Sequence, residues 1–82
     1  MNRKRILITG ATSGIGEATF KHAVKNGHTV FITGRNESVL KKLADENPGT
    51  FYLKTDVTNA DEVKNLAIQV IEKLGGIDVL LN

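Results

Sequence analysis

The 82-residue sequence contains no cysteine, so it can build neither a disulfide framework nor a thiolate metal site. That absence fits a reducing compartment, and the expected location is cytoplasmic. Its uninterrupted apolar runs fall far short of the roughly 20 residues that span a membrane. Arg3-Lys4-Arg5 has the charge of a secretory leader, but Ile6-Leu7-Ile8 is too short an apolar region and glycine follows it. These cations read instead as the solvated start of a strand. A net charge of +2 is too small to argue for nucleic acid. His22 and His28 join no carboxylate or metal-ligand constellation, which leaves them surface or helix-end roles and leaves no metal site. No internal repeat, linker or low-complexity stretch interrupts the chain. What remains, 40% hydrophobic and 24% charged, is an ordinary globular composition. Residues 1–82 are expected to form one small domain that buries roughly 60–65% of its unfolded surface.

Short apolar runs alternate with helical periods. Ile6–Thr9 reads as a fully buried strand. Ile15, Ala18, Thr19, Ala23 and Val24 form a helical stripe from about Gly14 to Asn26, with Gly27 placed to end it. Thr29–Thr33 is a second strand, and Gly34-Arg35-Asn36 a turn. Val39, Leu40, Leu43 and Ala44 mark a second helix that stops before the lone proline, Pro48. Phe51–Thr55 is a third strand. Val63, Leu66, Ala67, Val70, Ile71 and Leu74 line one face of a third helix, with Thr58 and Asp61 approximating a capping box. Gly75-Gly76 closes that helix, and Ile77–Leu81 is a fourth strand. The order βαβαβαβ with short connections implies an α/β fold with parallel strands and right-handed crossovers. The expected arrangement is three-layered and Rossmann-type, with four strands in the order 3-2-1-4, two helices on one face and the third on the other.

The densest signal is the run from Ile6 through Gly16. Its glycines are spaced Gly-x-x-x-Gly-x-Gly, follow a strand and open a helix. Free N–H groups at a helix start bind pyrophosphate without a cationic side chain. Gly10 can turn the chain sharply out of the strand, Gly14 lets backbone approach a phosphate, and Gly16 lets the helix pack closely. No Lys-Ser or Lys-Thr pair follows Gly16, so this is not a triphosphatase loop. A purely structural turn is the plain alternative.

Thr9-Gly10-Ala11-Thr12-Ser13-Gly14-Ile15-Gly16 resembles the cofactor motif of the short-chain dehydrogenase/reductase family. The resemblance runs along essentially the whole chain, which corresponds to the first third or so of a usual member. It implies that Gly10, Thr12, Ser13, Gly14, Ile15 and Gly16 hold the dinucleotide. Asp56-Val57-Thr58 stands where the family contacts the adenine ring. A second reading has Asp56 simply begin the turn into the third helix. Asn82 aligns with the first asparagine of the family's Asn-Asn-Ala-Gly, which holds the centre of the sheet and lines the cofactor. Phe20 stands where the family usually has a small residue.

Cofactor choice rests on the end of the second strand. NAD-selective folds keep a carboxylate there to hold the ribose 2′-hydroxyl. Here the position is Gly34 followed by Arg35, and a guanidinium can bind a 2′-phosphate through two hydrogen bonds. NADP(H) is therefore favoured, with NAD(H) possible and an exposed turn arginine as the plain alternative.

The family's hydride transfer uses a Ser, a Tyr and a Lys, the last two spaced Tyr-x-x-x-Lys. The sole tyrosine here is Tyr52, and Asp56 rather than lysine follows at that spacing. No catalytic residue is assigned, and the chain alone is expected to be inactive. The fourth strand would leave an exposed apolar edge at Ile77–Leu81, so self-association or a complementing fragment is expected there. Two functional classes follow: the dinucleotide-binding part of an NADP(H)-favouring oxidoreductase, or a non-catalytic, stand-alone or engineered half-Rossmann scaffold that self-associates.

Overall fold

β-Branched and aromatic side chains suit a pleated surface buried on both faces, and they occupy the middle of the sheet. The computed structural model describes residues 3–82; Met1 and Asn2 of the expected 1–82 unit lie outside them. The elements are β1 (Arg5–Thr9), α1 (Gly14–Lys25), β2 (Thr29–Gly34), α2 (Glu37–Glu46), β3 (Phe51–Lys54), α3 (Ala60–Leu74) and β4 (Val79–Leu81). All four strands are parallel in the expected order β3-β2-β1-β4.

Register sorts the side chains into layers. Ile6 pairs with Val30 and Ile8 with Ile32, and these four share a core with Phe20 and Ala23 of α1 and Leu40 and Leu43 of α2. The intervening Leu7 and Phe31 point to the other face, where Leu66 and Val70 of α3 cover them. Two helices therefore lie on one side of the sheet and one on the other.

Several local expectations are corrected. β1 begins at Arg5, β2 continues to Gly34 and β3 stops at Lys54. The buried side of α1 is not the Ile15-Ala18 stripe: Phe20 and Ala23 are buried, whereas Ile15 is 85% exposed. The physical reason is Gly16, which is pressed against the end of β1 and sets the rotation of the helix. Phe20 follows one turn later and fills the core completely, so a large residue is accommodated there. In α3, Leu66 and Val70 are buried, but Val63, Ala67 and Ile71 are exposed because the sheet beneath is narrower than the apolar stripe. Its cap is Asn59, whose Oδ1 accepts the N–H groups of Asp61 at 3.0 Å and Glu62 at 3.1 Å. Thr58 is occupied elsewhere, donating both its N–H and its hydroxyl to Asp56 Oδ1.

β4 begins at Val79 rather than Ile77 because the residue before it is clamped. Arg5 N and Nε donate to Asp78 Oδ2 at 2.8 and 3.1 Å, and Arg5 Nη2 donates to Oδ1 at 3.1 Å. Asp78 N in turn donates to Arg5 O at 2.8 Å. Arg5 is thus a registering contact for β4, more than a solvated cation.

Candidate functional site

Strand order reverses direction at β1, which has β2 on one side and β4 on the other. Open parallel sheets bind ligands at such a point, outside the carboxyl ends of the strands. Gly10 leaves β1 there with φ of +70°, a conformation that L side chains rarely adopt. Ser13 then closes the turn. Its N–H and its hydroxyl both donate to Gly10 O, at 3.1 and 2.8 Å. Its Oγ also accepts Gly16 N at 3.1 Å, which makes it the N-cap of α1.

Gly16 is demanded by contact. A Cβ there would overlap the Gly10 carbonyl oxygen and lie 2.9 Å from the Gly10 carbonyl carbon. The helix start is thereby held hard against the strand end, and Ser13 takes up two of its first amides, Gly16 N and Glu17 N. Gly14 differs, since a Cβ at that position would meet no protein atom within 4 Å.

Two hollows flank the loop. One, of about 240 Å³, is lined by Thr9, Gly10, Ser13, Ile15 and Gly16, with Asn82 across from them. The other, of about 300 Å³, lies on the β2 side and includes Gly10, Thr12, Gly34, Arg35, Thr55 and Val57. The expected site residues therefore fall into two connected groups. Gly14 lies at the helix start and lines neither hollow, and neither does Asp56.

Asp56 is nonetheless joined to the second group, because Arg35 Nη2 lies 3.5 Å from its Oδ1. That oxygen also accepts Thr58 N at 2.9 Å and Thr58 Oγ1 at 2.6 Å. These bonds hold the carboxyl below its ordinary pKa, the Thr58 hydroxyl first, then the Thr58 N–H, with a smaller effect from Arg35. The turn-forming role of Asp56 is thus realised through Oδ1. Asn82 joins the residue after β4 to β1: Thr9 Oγ1 donates to Asn82 Oδ1 at 2.8 Å.

Three features had no role in the sequence reading. Thr9 matters through its hydroxyl, which the motif alone does not indicate. Thr55 Oγ1 is buried without a hydrogen-bond partner among the described residues, at a position lining the second hollow. Gly34 and Thr12 nearly touch. Each depends on strand adjacency, and no local pattern signals it. His28 has a structural role, its Nδ1 accepting Lys4 N at 3.1 Å. Tyr52 packs against the α1–α2 core and lines neither hollow. Among the described residues no cluster suits a metal ion.

Chemically, this arrangement suits an elongated anion: amides at a helix start, a cation at one rim and polar groups at both ends. Known proteins share this chain's sequence pattern and fold. The family described as short chain dehydrogenase matches residues 4–82. A 3beta-hydroxysteroid dehydrogenase of Mediterraneibacter gnavus is 41% identical over 85 residues, covering 99% of this chain and 31% of that protein. An NADP-dependent 3-hydroxy acid dehydrogenase of Shigella flexneri is 33% identical over 78 residues, covering 94% of this chain and 32% of its own length. The crystal structure of a 3-ketoacyl-(acyl-carrier-protein) reductase from Brucella melitensis, complexed with NADH, is similar at a TM-score of 0.89. It is 31% identical, with 94% of this chain and 32% of that chain covered. The chain therefore spans 31–32% of the length of these relatives.

Proposed function

This chain belongs to the short chain dehydrogenase family, and from that premise we propose that residues 1–82 are the dinucleotide-binding domain of an NADP(H)-preferring oxidoreductase. The observation that carries the cofactor preference is Arg35, at the rim of the β2-side hollow beside a glycine instead of a carboxylate. The residues present fit the group. The amides of Gly14 and Ile15 would hold the pyrophosphate, where the open space beside Gly14 admits it. Val57 and the Asp56 carboxylate would receive the adenine, and Arg35, now 3.5 Å from Asp56 Oδ1, would hold the 2′-phosphate. Thr12 and Ser13 border the ribose and pyrophosphate, and Asn82 closes the far side. NAD(H) binds more weakly in this reading. Hydride chemistry is supplied by the nicotinamide when bound; the chain's own residues bind and orient.

The family's Ser-Tyr-Lys set does not occur within these 82 residues, and Tyr52 is followed by Asp56 at the lysine spacing. They bind cofactor without turnover unless a further segment supplies those groups. The edge of β4, Val79–Leu81 within the expected Ile77–Leu81 stretch, where Leu80 is 54% exposed, is where a second copy or a complementing fragment pairs. A cysteine-free chain of this kind suits the cytoplasm.

Titration with NADPH, NADH and adenosine 2′,5′-bisphosphate tests the assignment. NADPH is expected to bind about tenfold to a hundredfold more tightly than NADH, the worth of a charge-assisted pair. Arg35→Asp reverses the order. An unchanged NADPH/NADH ratio in that variant sinks the assignment.

A further inference from the structure

Gly34 has no backbone reason to be glycine. Its φ is not positive, and it closes β2 in regular parallel pairing with Lys54. The reason is its neighbour. A Cβ at position 34 would lie 3.2 Å from Thr12 Cγ2 and 3.3 Å from Thr12 Oγ1, with Leu40 Cδ2 at 3.9 Å behind. Comfortable carbon–carbon contact begins at about 3.5 Å. The branched end of Thr12 thus crowds a Cβ at 34, and one of the two must give by a few tenths of an ångström.

The backbone on both sides of the contact is tied. Gly34 O accepts Thr55 N at 2.9 Å, which fixes the end of β2 from the β3 side. On the loop side, Ser13 N donates to Gly10 O at 3.1 Å and Ala11 N donates to Thr33 O at 3.4 Å. Thr12 sits between these tied residues, and a β-branched side chain has few χ1 options.

We propose that Thr12 and Gly34 form a matched pair that keeps a carboxylate off the ribose rim, so that Thr12 together with Arg35 determines cofactor preference. The proposal rests on the NADP(H) reading above and adds a residue to it. A carboxylate at 34 is the group that would hold a 2′-hydroxyl and repel a 2′-phosphate. In this proposal the crowding by Thr12 at the Cβ displaces that carboxylate from its working position. A change of preference at this position therefore requires two substitutions.

The test uses Gly34→Asp, Thr12→Ala and the double variant, titrated with ADP-ribose and with adenosine 2′,5′-bisphosphate. Gly34→Asp alone is expected to lose about tenfold or more in bisphosphate affinity while gaining little for ADP-ribose. Adding Thr12→Ala is expected to restore about tenfold for ADP-ribose. An equal gain in the single and double variants overturns the pair. A second measurement is independent of any ligand: Gly34→Ala lowers the thermal midpoint when Thr12 is present and raises it in the Thr12→Ala background. Additive midpoint shifts overturn the proposal whichever ligand binds. A wild-type chain that prefers NADH to NADPH overturns only the NADP(H) reading, and the midpoint cycle still decides the pair.

Discussion

Ser13 serves two neighbours with one short side chain. Its hydroxyl donates to Gly10 O, and its oxygen accepts Gly16 N, so loop closure and helix initiation share one atom. Ser13→Ala removes both bonds, and N-cap losses of this type cost about 1 kcal/mol. A urea titration is expected to show that loss through a lower midpoint at unchanged slope. No effect on the midpoint would mean that water replaces the cap. Legibility at this scale was uneven. Gly10, Gly14 and Gly16 stood out because spacing around a strand end is a local pattern. The reason for Gly16 did not: the clash it avoids is with the Gly10 carbonyl rather than with the wider sheet. Asp56 shows the same limit, since its residue type suited both a turn and a ligand, and only the geometry assigns Oδ1 to Thr58.

Among the elements, β4 is the shortest strand, and Arg5–Asp78 compensates for its length. The Arg5 guanidinium and backbone N–H hold Asp78 down to about 2, below the 3.8 of a free aspartate. A carboxyl depressed in the folded state stabilises fully above its unfolded value, and that contribution disappears as pH falls through the folded one. The window is therefore about pH 4 down to about pH 2. Asp56 is shifted the same way and contributes to acid sensitivity as well. Asp78→Asn should accordingly flatten part of the dependence. Thermal midpoints measured across that window are expected to fall less steeply in the variant, with the gap to wild type closing toward pH 2. A constant gap would show that the pair does not titrate with folding. Sequence periodicity located β4 but extended it to Ile77, because an apolar residue in an apolar run reads as strand. The clamp at Asp78 shortens it, and Arg5 and Asp78 are 73 positions apart.

For the whole molecule, the informative feature is unequal cover. The α1–α2 side holds a complete core around Ile8, Phe20, Ile32 and Leu40. The α3 side is only partly closed, with Ile68 and Ile71 more than half exposed on the helix and Leu80 on the strand next to β1. Exposed apolar surface beside an open strand edge favours pairing with another chain. The scattering mass of this 82-residue chain should rise with concentration, and Leu80→Lys should suppress the rise by placing a charge on the edge. A wild-type chain that stays monomeric at high concentration would count against association through β4.

The sequence by itself determined the alternation of strands and helices and the glycine loop that follows the first strand. Those properties follow from hydrophobic period and turn chemistry, which act over a few neighbouring residues. Tertiary structure alone decided which side chains meet: Thr9 with Asn82, Arg5 with Asp78, and Thr12 against Gly34. It also decided that the buried Thr55 hydroxyl has no partner among the described residues and that α3 leaves part of its apolar stripe exposed. These contacts depend on strand register and on how far the sheet extends beneath each helix. Both are set only when segments distant in the chain settle against one another.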